Sequence, residues 1–88
     1  MREYFDTGVA KIRTEIKTRL VSHGLFGSFV PVDSGPVDPV PVGVTIQVTV
    51  KGRTVERYFD RRQAEDCRLK VGGTVLTELI SMVDELSA

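Results

Sequence analysis

The seventeen residues VTIQVTVKGRTVERYFD, Val44–Asp60, constrain this chain more than any other stretch. Val44, Ile46, Val48 and Val50 alternate with Thr45, Gln47, Thr49 and Lys51, the period of two that marks a half-buried strand. Six of those eight residues are β-branched, which suits a pleated surface. Thr54–Asp60 reads as a second strand with Val55, Arg57 and Phe59 on one face. Between them, Gly52 supplies the positive φ that a tight hairpin turn needs, with either Lys51-Gly52 or Gly52-Arg53 as the loop. Both choices leave Val55, Arg57 and Phe59 on the face of the Val/Ile row. Arg57 is the odd member of that face. Its stem can cover apolar surface while the guanidinium reaches an acidic partner such as Asp84 or Glu85, or it marks an anion or partner site at the core margin.

A hairpin alone is marginal and needs a third strand or a helical cover. Helical periodicity supplies the cover on both sides. In residues 2–23, Phe5, Val9, Ile12, Ile16 and Leu20 recur at steps of four, three, four and four, with Val21 widening the stripe. Lys11–Glu15 and Glu15–Arg19 are opposite charges four apart. Gly8 weakens the first turns, and Gly24 is a natural stop with His23 in the last turn. Towards the other end, Asp60 is a cap for a short helix over Arg61–Leu69, with Ala64 and Cys67 apolar. Gly72-Gly73 breaks the chain. Thr74 then caps a last helix whose stripe is Leu76, Leu79, Ile80, Val83 and Leu86, with Met82 off it. Asp84 and Glu85 sit in its last turn, against the helix dipole, and a basic residue from 51–62 would compensate.

Two segments are less regular. Leu25–Val32, LFGSFVPV, is a short edge strand or an apolar loop. The hairpin's need for a third strand favours the strand, and Pro31 restricts it to an edge. Asp33–Gly43 holds three prolines and two glycines in eleven residues and reads as a loop. Its Pro36-Val37-Asp38-Pro39 spacing suits a semi-rigid connector, or a docking segment for an aromatic groove. The expected architecture is α+β: N-terminal helix, antiparallel β-hairpin with a third short edge strand possible, short helix and C-terminal helix on one sheet face. A chain of 88 residues makes one domain, 1–88.

Composition narrows function by exclusion. No apolar run approaches a membrane span, and the N-terminus MREYFDTGVAKIR lacks the apolar stretch of a signal peptide, so a complete small cytoplasmic gene product is expected. One cysteine cannot form an internal disulfide, and one Cys with one His does not make a clustered metal site. Neither metal nor cofactor is expected. Catalysis would fall to His23 or Cys67, and neither has a nucleophile motif around it. Glu65-Asp66 are adjacent on a helix and point apart. Gly72-Gly73-Thr74 resembles a fragment of an anion-binding turn but lacks the lysine and spacing of a P-loop. An enzyme is not expected.

Net charge is zero, yet residues 51–70 hold seven basic side chains against four acidic, and residues 71–88 hold none against three. Arg53, Arg57, Tyr58, Arg61 and Arg62 are therefore the candidate partner or anion contacts. In element order the chain also resembles the double-stranded RNA-binding domains. That family grips phosphates with lysines at the start of its last helix, and the matching stretch here, Gly73-Thr74-Val75-Leu76-Thr77-Glu78, has no base. Phosphate neutralisation dominates such affinity, so nucleic acid ranks as the alternative. The first expectation is a small protein-binding or regulatory module with an unidentified protein partner. It is expected to form a homodimer through sheet edges or the last helices, where Met82 would contribute.

Overall fold

The computed structural model describes residues 2–34 and 40–88. The elements run α1 (Arg2–Ser22), β1 (Ser28–Ser34), β2 (Gly43–Val50), β3 (Arg53–Asp60), α2 (Arg61–Asp66) and α3 (Gly73–Ser87). The strands form one antiparallel sheet in the order β1-β2-β3, so the protein is α+β.

The hairpin closes on Val50 opposite Arg53, which makes Lys51-Gly52 the loop. Lys51 at φ 51° and Gly52 at φ 80° are both left-handed, as a primed two-residue turn demands. The register sets Val44 opposite Phe59, Ile46 opposite Arg57 and Val48 opposite Val55, and the Val/Ile row is buried with Phe59. The other face stays polar. There Gln47 donates to Glu56 at 2.9 Å and the Thr49 and Thr54 hydroxyls meet at 2.9 Å, each pair directly opposite across the strands.

Residues 25–32 resolve as a strand that starts late and runs long. Ser28 pairs with Thr49 and Pro31 with Ile46, at an edge where the missing proline N–H is tolerated. Asp33 and Ser34 continue the ladder and Gly43 opens β2, so both ends of the segment expected to be loop belong to the sheet. The PxxP spacing of Pro36 to Pro39 lies outside the described residues. Val40 and Pro41 are buried.

Helix α1 buries Phe5, Gly8, Ile12, Ile16 and Leu20. It ends in a Schellman turn: Leu25 N–H donates to Leu20 C=O at 2.8 Å and Gly24 N–H to Val21 C=O at 2.9 Å, with Gly24 at φ 69°. Arg19 pairs with Glu15 at 2.8 Å, one of the two expected spacings of four. Val21 does not widen the stripe. It lies about 100° round the helix from Leu20 and faces solvent, half exposed.

Asp60 caps α2 as expected, in a reciprocal box with Gln63, and Ala64 and Cys67 turn inward. The helix is shorter than the sequence suggests. Cys67 N–H bonds Ala64 C=O and Arg68 N–H bonds Glu65 C=O, three residues back, so the last turn tightens and stops.

The stripe of α3 is rotated from the expected one. Val75, Leu79, Met82, Val83 and Leu86 are buried, while Ile80 is exposed. The buried set runs at steps of four, three, one and three, a tighter match to a single helical face than a set through Leu76 and Ile80. Met82 is a core residue and is not available to join two copies. The N-cap is Gly72, without a side-chain hydrogen bond, and Thr74 lies inside the helix near Gln63 at 3.5 Å. All three helices and the inner sheet face close on one apolar core.

Candidate functional site

Arg57 stands on the inner face of β3, where a guanidinium meets the flank of α3. Its Nε donates to Glu78 at 2.9 Å, Nη2 contacts Glu85, and Nη1 donates to the Glu56 carbonyl at 2.9 Å. Ser81 Oγ lies 3.4 Å from Nη2. Residues 78, 81 and 85 are one flank of the helix by their spacing of three and four. Burial alone lowers the Arg57 pKa, and the hydrogen bonds and charges of Glu85 and Glu78 outweigh it, so the net shift is upward. The guanidinium's donors thus meet groups of the protein itself. Of the two acids named from sequence, Glu85 is a partner; Glu78 takes the place expected for Asp84.

Arg53, four residues earlier on the same strand, holds the end of the same helix. Its Nη1 donates to the Ala88 main-chain oxygen at 2.8 Å and Nη2 to the Glu85 carbonyl at 2.7 Å. A cation on the last carbonyls of a helix satisfies orphan acceptors and complements the dipole. Arg53 and Arg57 together answer the acidic last turn of α3.

Tyr58 points to the opposite face of the sheet, across Gly43, and its hydroxyl donates to the Val42 carbonyl at 3.3 Å. Arg61 opens α2; its backbone N–H also bonds the Val42 carbonyl, at 2.8 Å, and its side chain lies 3.8 Å from Glu65. Arg62 is exposed on the first turn of α2. The five residues therefore do not form one patch: two face α3, one lies on the outer sheet face, and two sit on α2.

His23 and Cys67 are not a catalytic pair. Cys67 follows α2, which packs against α1 at Gly8. His23 lies fifteen residues further along, about 22 Å at the helical rise. Burial pushes the Cys67 thiol up, a hydrogen bond with the Gly72 backbone offsets part of this, and Asp66 adds to it. A cleft of about 280 Å³ opens beside it, lined by Lys70, Gly72, Gly73 and Thr74 among others. Among the described residues no cluster of His, Cys, Asp or Glu could hold a metal ion, and no helix is long and apolar enough to cross a membrane.

Among the described residues, sequence reasoning missed the most exposed apolar groups. Phe26 is 75% exposed and Leu69 83% exposed, and Val21, Val42 and Tyr4 are also open. Arg68 stacks over the Tyr4 ring at 4.4 Å, which ties the α2–α3 connection to the first turn of α1. The departures of Val21 from the α1 stripe and of Phe26 from any alternation were the signals available.

Fold and surface together define a small α+β domain with one covered and one open sheet face. Comparison with protein-family models, with curated proteins and with solved structures finds no match.

Proposed function

We propose that the protein is a small non-enzymatic protein-binding or regulatory module that self-associates and works in a reducing, cytoplasmic setting. One observation carries this reading. Large apolar groups stand open to a partner, Phe26 and Leu69 above all, whereas Arg53 and Arg57 direct their donors to α3. Apolar groups that stand out from a small domain are the usual currency of protein contact. Self-association draws support from the sheet, whose outer strands β1 and β3 each have one neighbour among the described residues and so present an unpaired edge there. The burial of Met82 moves the proposed joint from the last helices to such an edge. The lone cysteine, buried after α2, fits a reducing compartment.

The test is the solution mass by light scattering on a sizing column, with and without a short nucleic-acid duplex. A dimer indifferent to the duplex supports the module. A monomer whose mass rises with the duplex, and falls back in added salt, overturns it in favour of nucleic-acid binding through Arg61, Arg62 and Tyr58.

A further inference from the structure

The register of the hairpin decides which backbone groups β3 turns outward. Val50 and Arg53 flank the two-residue turn and so exchange both of their backbone hydrogen bonds, and the ladder alternates from there. Val55, Arg57 and Phe59 therefore turn N–H and C=O to β2, while Thr54, Glu56, Tyr58 and Asp60 turn theirs to the open edge. The Arg61 N–H, which bonds the Val42 carbonyl at 2.8 Å, continues the same parity. Two of the outward groups are used within the chain: the Glu56 carbonyl accepts from Arg57, and the Asp60 N–H donates to Gln63 Oε1. The N–H and C=O of Thr54 and Tyr58 and the N–H of Glu56 have no partner among the described residues, and all three residues are exposed.

The edge of β1 offers less. The same alternation turns Phe29, Pro31 and Asp33 outward there, and Pro31 has no N–H, so that row is broken at its centre. Beside the β3 edge the charge left unmatched is acidic. Glu56 accepts from the Gln47 amide and has no ion-pair partner among the described residues. On the inner side Glu78 and Glu85 share the single guanidinium of Arg57, and Arg53 is turned to the end of α3. Arg61 and Arg62 lie beyond the strand, on α2.

We propose that the outer edge of β3 takes an extended segment of another protein as a fourth, antiparallel strand, with a lysine or arginine of that segment opposite Glu56. This deepens the interaction-module reading and rests on it. The open row of N–H and C=O groups selects an extended backbone. The Glu56 carboxylate selects the cation across from it, and half-buried Val55 takes an apolar side chain at the segment's next position. A second copy does not meet these terms. A two-fold axis through Val55 sets Arg53 against Arg57, one through Glu56 sets that carboxylate against itself, and one through Arg57 does the same with the guanidinium. A nucleic-acid strand would bring its phosphates to the same carboxylates.

The experiment pans a displayed random-peptide library against the full chain, then resynthesises the enriched peptides with their amides N-methylated one at a time. Each is measured against wild type and Glu56→Lys, an exposed position whose variant should keep the wild-type circular dichroism. The expected peptides carry Lys or Arg beside an apolar residue. N-methylation should cost at least tenfold in affinity at alternate amides, those that face β3, and little at the amides between. Glu56→Lys should weaken binding at least fivefold, and exchange of the peptide's cation for Glu should restore it. Peptides that tolerate a methyl group at every amide, or that bind Glu56→Lys as well as wild type, would overturn the edge while leaving the module reading intact. So would a dimer that the peptide splits, since a second copy would then hold the edge. No enrichment overturns both.

Discussion

Gly8 and Ala64 meet backbone to backbone where α1 packs on α2: a methyl group on Gly8 would sit 1.6 Å from the Ala64 carbonyl oxygen. Alanine is the better helix former by about 1 kcal/mol, so a solvent-facing Gly8→Ala would stabilise. Here the added carbon must push the two helices apart, at roughly 3 kcal/mol for overpacking. The net loss should be about 2 kcal/mol, a fall in melting temperature of roughly 8–16 °C for a domain of this size. Ala64→Gly should not rescue it, because the clash is with the carbonyl and not the methyl. A thermal melt showing Gly8→Ala at or above wild type would remove the close approach.

Arg57 holds β3 to α3 through charges that are partly in water. Its own side chain is 26% exposed, but Glu78 and Glu85 are nearly half exposed. Pairs in such surroundings contribute little each. Arg57→Met keeps the apolar stem and removes the whole cluster, and should cost about 1 kcal/mol. Salt decides whether that loss is electrostatic: in urea titrations the gap between wild type and variant should narrow at ionic strengths where the Debye length is about 3 Å. A gap that holds constant with salt would mean that packing of the stem sets it.

Lys51 adopts φ 51° with a full side chain, in a turn whose two positions both call for left-handed backbone. Asparagine tolerates that conformation better than lysine, and Asn-Gly is the preferred pair for this turn. Lys51→Asn should therefore raise stability by about 0.5–1 kcal/mol without altering the fold. Gly52→Ala, at φ 80°, should lower it by about 1 kcal/mol or more. Chemical denaturation of both variants checks the pair, and loss of stability in Lys51→Asn would contradict the turn type.

What the sequence made legible was local. The parity of Val44 to Val50 and of Val55, Arg57 and Phe59 follows from a period of two, and the Asp60 cap and Gly24 stop follow from chemistry within a few residues. The misses depend on what arrives from elsewhere. Leu79, Val83 and Leu86 belong to either candidate stripe of α3. Which neighbours complete it, Val75 and Met82 or Leu76 and Ile80, depends on how α3 docks on a core that the other elements build. Gly8 reads as a weak helix residue until α2 lies across it. Arg53 becomes a helix cap only because α3 ends beside the hairpin, thirty-five residues later. Phe26 looks like core material, and among the described residues no element covers it.

Cys67 joins the core to the chemistry of pH. Its folded pKa is raised above the usual 9.0, chiefly by burial. A raised folded value means that the folded state holds the proton more tightly than the unfolded one, so the contribution to stability is complete below the unfolded pKa. It declines as pH rises past about 9 towards the folded value. Wild type should thus lose stability as pH rises past about 9, on the scale of linkage by a single group. Cys67→Ala, lower overall from the cavity it leaves, should lack that component, and the gap between the two should shrink as pH rises. The same burial protects the sulfur. Only the thiolate reacts, so iodoacetamide at pH 8 should modify the native protein far more slowly than the urea-unfolded chain. Native alkylation at the unfolded rate, with a stability gap that does not change with pH, would put Cys67 at the surface and leave the end of α2 without its apolar anchor.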